Sequence, residues 1–123
     1  MSEAVQQTPG TTVQQAPGIR RTDLQEHDLS IPGRMVIQNR VELGPEAPAV
    51  RHWHPGEEII YVLEGKLEYT IDGVGTRTYS AGDALMVPAE RIHSVKNVGD
   101  DGAAELATYV VEKGKPFLVV VDD

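Results

Sequence analysis

From Gly33 onward, apolar residues recur at alternate positions in short runs separated by Gly, Pro, Asp and Asn, the pattern of half-buried strands. RMVIQNRVEL (residues 34–43) alternates roughly. KLEYTI (residues 66–71) alternates cleanly, with Leu67, Tyr69 and Ile71 on one face and Lys66, Glu68 and Thr70 on the other. EIIYVLE (residues 58–64) is rich in β-branched and aromatic residues. AVRHWH, TRTY, ALMV, RIHSVKN, AELATYVVE and FLVVV read as further extended runs. Asp72-Gly73 is a hairpin signal, since both central residues of a type I′ turn need positive φ. RRTDLQEHDLS (residues 20–30) has helix-like charge, but it is short and stops at Pro32, so no helix is predicted. Roughly seven to nine short strands with Gly-rich turns predict one small all-β sandwich or barrel.

Residues 1–18 carry Gln, Thr, Pro, Gly and Ala with little to bury, and are expected to form a flexible N-terminal arm before a domain over residues 19–123. The arm could equally hold an extended strand against a partner. The run FLVVV near the C-terminus is a hazard as an exposed edge unless covered, which points to a homodimer.

Charge narrows the partners. Eleven basic against 19 acidic residues give a formal net charge of −8, with no Lys/Arg cluster. A nucleic acid or an anionic membrane is therefore not expected as the partner. Cysteine is absent, which excludes disulfides and thiolate metal sites. No apolar run approaches the roughly 20 residues of a membrane span. The first residues lack the basic start and apolar block of a secretory signal, so the expected location is the cytoplasm.

The chain has only four histidines, and two of them fall in RHWHPGEE, residues 51–58. On a strand, His52 and His54 point to the same face and Trp53 to the other, so two imidazoles can grip one ion. Pro55-Gly56 then turns the chain, letting Glu57 or Glu58 re-enter as an anionic oxygen ligand. A third imidazole must come from His27, in a charged segment, or His93, on an extended run beyond a Pro-containing turn; His93 is the better candidate.

These residues resemble the two motifs of the cupin superfamily. The first reads His52, Trp53, His54, then Pro55-Gly56-Glu57, Glu58, IIYVLE and Gly65. The second reads Gly82, DALMV, Pro88, Ala89, Glu90, Arg91-Ile92, His93, SVK and Asn97. Two glycines of the family pattern are replaced, by Glu46 and Glu90, both at turn positions. The resemblance covers roughly residues 34–112 and implies a small antiparallel β-barrel or jelly roll. It also implies a metal site of His52, His54, Glu58 and His93, and makes Glu57 a rim carboxylate.

Three imidazoles and one carboxylate on an octahedral ion leave two open positions. Mn, Fe, Ni, Co or Cu suits such a site better than Zn, whose structural sites are closed and tetrahedral. Glu58 is the candidate catalytic base if it swings off the ion; Glu57 and Glu90 are alternative acids or bases. The resemblance implies an enzyme acting on a small oxygen-donor substrate, with a dioxygenase-type reaction first. A non-redox lyase or isomerase and a non-catalytic binding protein are the alternatives. By the same analogy Met35, Ile37, Ile60, Met86, Val95 and Leu106 are candidates for the pocket wall, and Trp53, Tyr61 and Tyr109 for packing. Arg40 or Arg51 is the candidate partner of an acidic substrate group.

Overall fold

The strand over Arg34–Leu43 buries every second side chain: Met35, Ile37, Asn39, Val41 and Leu43. That alternation places one face on the core and one toward solvent. A second ten-residue strand, Ala103–Glu112, pairs with it antiparallel along its whole length, Ala103 opposite Leu43 and Glu112 opposite Arg34. Around this pair the computed structural model, which describes residues 12–121, builds two sheets.

The strands are β1 (Thr12–Ala16), β2 (Ile19–Asp28), β3 (Arg34–Leu43), β4 (His52–Trp53), β5 (Glu58–Glu64) and β6 (Lys66–Ile71). They continue as β7 (Gly75–Ser80), β8 (Ala84–Val87), β9 (His93–Asn97), β10 (Ala103–Glu112) and β11 (Val119–Val120). One sheet has the order β1-β2-β3-β10-β5-β8 and the other β11-β4-β9-β6-β7. No helix occurs among the described residues. The expected barrel is thus a jelly roll of two open antiparallel sheets with one core between them. Ile60 and Val62 of β5, Ala107 and Val111 of β10, and Leu67 and Ile71 of β6 belong to that core.

Three readings change. The segment with helix-like charge is β2, paired with β3 over nearly its whole length. Its inward positions Arg21 and Asp23 are charged, so the period of two is invisible to hydropathy. The hairpin at Asp72-Gly73 has a three-residue loop, because Ile71 pairs with Gly75 and Val74 N–H donates to Ile71 O. Only Gly73 of the two takes positive φ, +81°, where a type I′ turn needs both. Finally, the segment assigned to a flexible arm contains β1, joined to β2 by a turn at Pro17-Gly18; residues 1–11 lie outside the described residues.

The C-terminal apolar run is divided. Phe117 is buried, Val120 is exposed, and β11 is a two-residue strand against β4, too short to offer a long open edge.

Candidate metal centre

The short strand β4 lies between β9 and β11, and its pairing sets His52 directly opposite His93. The chain then crosses from one sheet to the other through His54-Pro55-Gly56-Glu57. The crossing is tight: a Cβ on Gly56 would collide with the Val110 carbonyl, and Val110 N–H donates to Glu57 O at 3.1 Å. Glycine at this position lets the chain hug β10 and enter β5 at Glu58. Glu58 is paired with Tyr109 on one side and Val87 on the other, with its side chain inward.

The imidazoles converge. One ring nitrogen from each of His52, His54 and His93 lies within 4.8 Å of the others. Each ring donates Nδ1–H to a backbone carbonyl: His52 to Val50 O at 2.8 Å, His54 to Phe117 O at 2.9 Å and His93 to Arg91 O at 2.9 Å. These bonds set the tautomer, so in each neutral ring Nε2 carries a lone pair and no proton. Glu58 Oε1 lies 3.2 Å from His93 Nε2 and 3.4 Å from His54 Nε2. His54 Nε2 is buried and has no hydrogen-bond partner. The approach of Glu58 Oε1 to these two nitrogens is satisfied by a proton on Nε2 or by a cation between them.

Electrostatics agree with the donor role. Burial, with His93 and His54 adding, holds the His52 imidazole down at about 4, so it is neutral and able to ligate at pH 7. Burial drives the Glu58 carboxyl upward, but His54 and His93 outweigh it and hold Glu58 well below the usual carboxylate range. Three imidazole nitrogens and one anionic oxygen suit a divalent transition ion.

The centre opens onto a cavity of about 250 Å³ between the sheets, bordered by His52, Glu58 and His93. Apolar wall comes from Ile19, Val41, Leu43, Val95 and Leu118. Four further lining residues are polar or aromatic: Arg21, Tyr69, Glu105 and Tyr109. Tyr69 O–H donates to Glu105 Oε1 at 2.6 Å, linking β6 to β10 across the cavity. Burial, then the Glu58 charge, pushes the Glu105 carboxyl up to about 8.

Several sequence assignments fall elsewhere. His27 is exposed on β2 and meets Gln25. Glu57 and Glu90 are exposed. Arg40 pairs with Glu42 and Glu64, and Arg51 with Asp72, so the cation at the cavity is Arg21 instead. Met35, Ile37 and Ile60 are core residues and Val95 lines the cavity. Met86 and Tyr61 are exposed on the outer face, because inward Glu58 and its partner Val87 set the opposite parity. Leu106 faces out for the same reason, between inward Glu105 and Ala107. Trp53 is half-buried, and Tyr109 packs at 4.9 Å from His54 while lining the cavity. Arg21, Tyr69 and Glu105 were absent from the expected site. Parity could have found Glu105, which shares a face with Tyr109 and Val111.

Comparison with known proteins decides the family. The family model for the cupin domain matches residues 39–112. The chain belongs to the cupin family. Among curated relatives, this cupin is 40% identical over 72 residues to the polyketide synthase CurC of Streptomyces cyaneus, covering 58% of this chain and 46% of that protein. It is 33% identical over 79 residues to germin-like protein 5-1 of Oryza sativa subsp. japonica, covering 60% of this chain and 36% of that one. The match therefore spans less than half the length of these relatives. Among solved structures, KdgF from a Halomonas species superposes with TM-score 0.68 at 23% identity, over 84% of this chain and 89% of that one. Bacillus subtilis oxalate decarboxylase, in a structure concerned with its Mn(II) centres, gives TM-score 0.66 at 25% identity, over 87% of this chain and 29% of that one. No helix among the described residues is long and apolar enough to cross a membrane.

Proposed function

We propose that this cupin is a metal-dependent enzyme acting on a small organic substrate with oxygen donors, its ion held by His52, His54, Glu58 and His93. The observation that carries this reading is the convergence of one ring nitrogen from each of His52, His54 and His93 with the Glu58 carboxylate at one side of the cavity. A bound ion supplies Lewis acidity toward the substrate's oxygens. Mn, Fe, Co, Ni and Cu fit the donor set, and the Mn(II) centres of the oxalate decarboxylase neighbour support manganese among them. Glu58, an anion bordering the cavity, is the proposed catalytic base once it swings off the ion.

A dioxygenase-type reaction is the leading expectation from the family resemblance, and the apolar part of the cavity lining suits it. A specific observation favours the non-redox lyase or isomerase class more strongly. Glu105, a carboxyl that burial pushes upward, sits 2.6 Å from the Tyr69 hydroxyl and can hold a transferable proton inside the cavity. The decisive test is elemental analysis of untagged protein beside a His52→Ala/His93→Ala variant. About one equivalent of metal in the wild type, lost in the variant, supports the reading; none after adding back these ions overturns it. Pyruvate in D₂O then separates the classes: metal-dependent deuteration without O₂ uptake indicates proton transfer, and O₂ consumption indicates the dioxygenase. Metal binding without turnover of any oxygen-donor acid leaves a metal-mediated binding protein.

The proposal includes a homodimer and a cytoplasmic location. Ile59, Tyr61 and Met86, 50%, 47% and 53% exposed, form one apolar patch on the outer face of β5 and β8. Light scattering should give a dimer mass for the wild type and a monomer for Tyr61→Glu.

A further inference from the structure

Glu105 is a carboxyl group 2% exposed, inside a wall otherwise built of Val41, Leu43 and Val95. Packing alone does not call for it, since a leucine would fill the same space without the cost of burying a polar group. It is held from the opposite sheet by the Tyr69 hydroxyl at 2.6 Å. Arg21, also lining the cavity and 6% exposed, places its guanidinium 5.0 Å from the Phe117 ring and 5.6 Å from the Tyr109 ring.

We propose that Glu105, Tyr69 and Arg21 form a second polar pole of the cavity, which recognises a hydroxyl or carbonyl group at the end of the substrate remote from the metal. The proposal deepens the metal-dependent reading and rests on it for the orientation of the substrate.

Geometry separates the two poles. Glu58 pairs with Tyr109, and Glu105 lies on the same strand and the same face as Tyr109, four residues away. At strand rise that is roughly 13 Å of backbone. Both side chains turn inward onto the same cavity, one toward each end of this interval. Tyr69 bridges the interval: its ring lies nearly parallel to that of His93, 6.4 Å between centroids, and its hydroxyl ends at Glu105. A cavity of about 250 Å³ has room for one aromatic ring with its substituents. A carboxyl group that keeps its proton can accept from Tyr69 with one oxygen and donate with the other, so both carbonyl and hydroxyl tips find a partner. Arg21 adds donors for a tip that carries negative charge.

The test compares benzohydroxamate, a chelator with a bare ring, with its 3-hydroxy and 4-hydroxy forms. Each is titrated into the full chain loaded with cobalt(II), whose visible bands report ligation. In the wild type at least one hydroxylated probe should bind about ten-fold tighter than the bare ring, as one added buried hydrogen bond does. The advantage should vanish in Glu105→Met and shrink in Tyr69→Phe, while affinity for the bare ring stays constant. Equal binding of all three probes by the wild type overturns the proposal without any variant, as does a Glu105→Met variant that weakens them all alike. If none of Mn, Fe, Co, Ni and Cu is bound, the metal reading fails by itself, and the pole is read from amide chemical shifts of the metal-free chain. Phenol should then perturb β6 and β10 at lower concentration than benzene, and equal responses overturn the pole.

Discussion

Replacing Glu105 by Gln should make the protein more stable near neutral pH, and the gain should depend on pH in a defined direction. Burial and the Glu58 charge push the folded-state carboxyl to about 8, against an ordinary value of 4.5 in the unfolded chain. Arg21 and the Tyr69 hydroxyl oppose the shift without reversing it. Because the folded value is the higher one, the stability attached to this proton is fully present below pH 4.5 and is lost as pH rises through about 8. Each pH unit inside that window is worth ~1.4 kcal/mol. Between pH 5 and 7.5 the wild type therefore loses about 3 kcal/mol through this group. Glutamine does not titrate and still offers an oxygen to Tyr69. Urea unfolding of both proteins, with a chelator present throughout so that the imidazoles behave alike, measures the difference at each pH. The Gln variant should gain about 3 kcal/mol relative to wild type from pH 5 to 7.5. A difference flat with pH, or one that moves toward the wild type, would show that Glu105 is ionised in the folded protein and refute the reasoning.

Other substitutions test the remaining geometry. His93→Ala should lose bound metal by elemental analysis, and added Mn(II) should raise the Tm of the wild type but not of the variant. Glu90 sits at φ +64°, a left-handed conformation that disfavours a side chain, so Glu90→Gly should stabilise by about 0.5–1 kcal/mol and raise Tm by a few degrees in calorimetry. Gly56→Ala should destabilise by about 1–3 kcal/mol in urea unfolding, because the added methyl meets the Val110 carbonyl. Asn97 donates to Leu43 O and Asp101 O and accepts from Gly99 N–H, so Asn97→Ala should cost about 2–3 kcal/mol in the same assay.

The strand read most cleanly from the chain is the one whose inward face is wholly apolar. Leu67, Tyr69 and Ile71 alternate without interruption, and β6 lies where the alternation predicts it. The imidazoles were legible for a related reason. A His-x-His pair on a strand projects to one face by geometry alone, and the structure brings His52, His54 and His93 together with Glu58 beside them. Glu90 was legible as a departure from the family's glycine, and its backbone keeps the glycine conformation even so.

What escaped the sequence shares one physical cause. β2 was unreadable because its inward residues are Arg21 and Asp23, and a hydropathy pattern scores them as surface. Glu105 was passed over for the same reason, although Ala107, Tyr109 and Val111 on its face are all buried. Met86, Tyr61 and Leu106 were misplaced in the opposite sense, as apolar residues whose parity turns them outward. Parity is carried by the pleat and not by side-chain chemistry, so a single fixed point decides it for a whole strand. Once Glu58 is taken as inward, Val87 and Tyr109 follow by pairing, and Glu105 follows from Tyr109 along β10. Of the buried charged residues that break local hydropathy, Arg21 and Glu105 line the cavity, where burial of a charge has to be offset by binding or chemistry. In this cupin the charged residues that break the hydrophobic pattern on β2 and β10 therefore mark its polar interior, and the cluster of His52, His54, His93 and Glu58 supplies the reference from which the rest of that interior can be found.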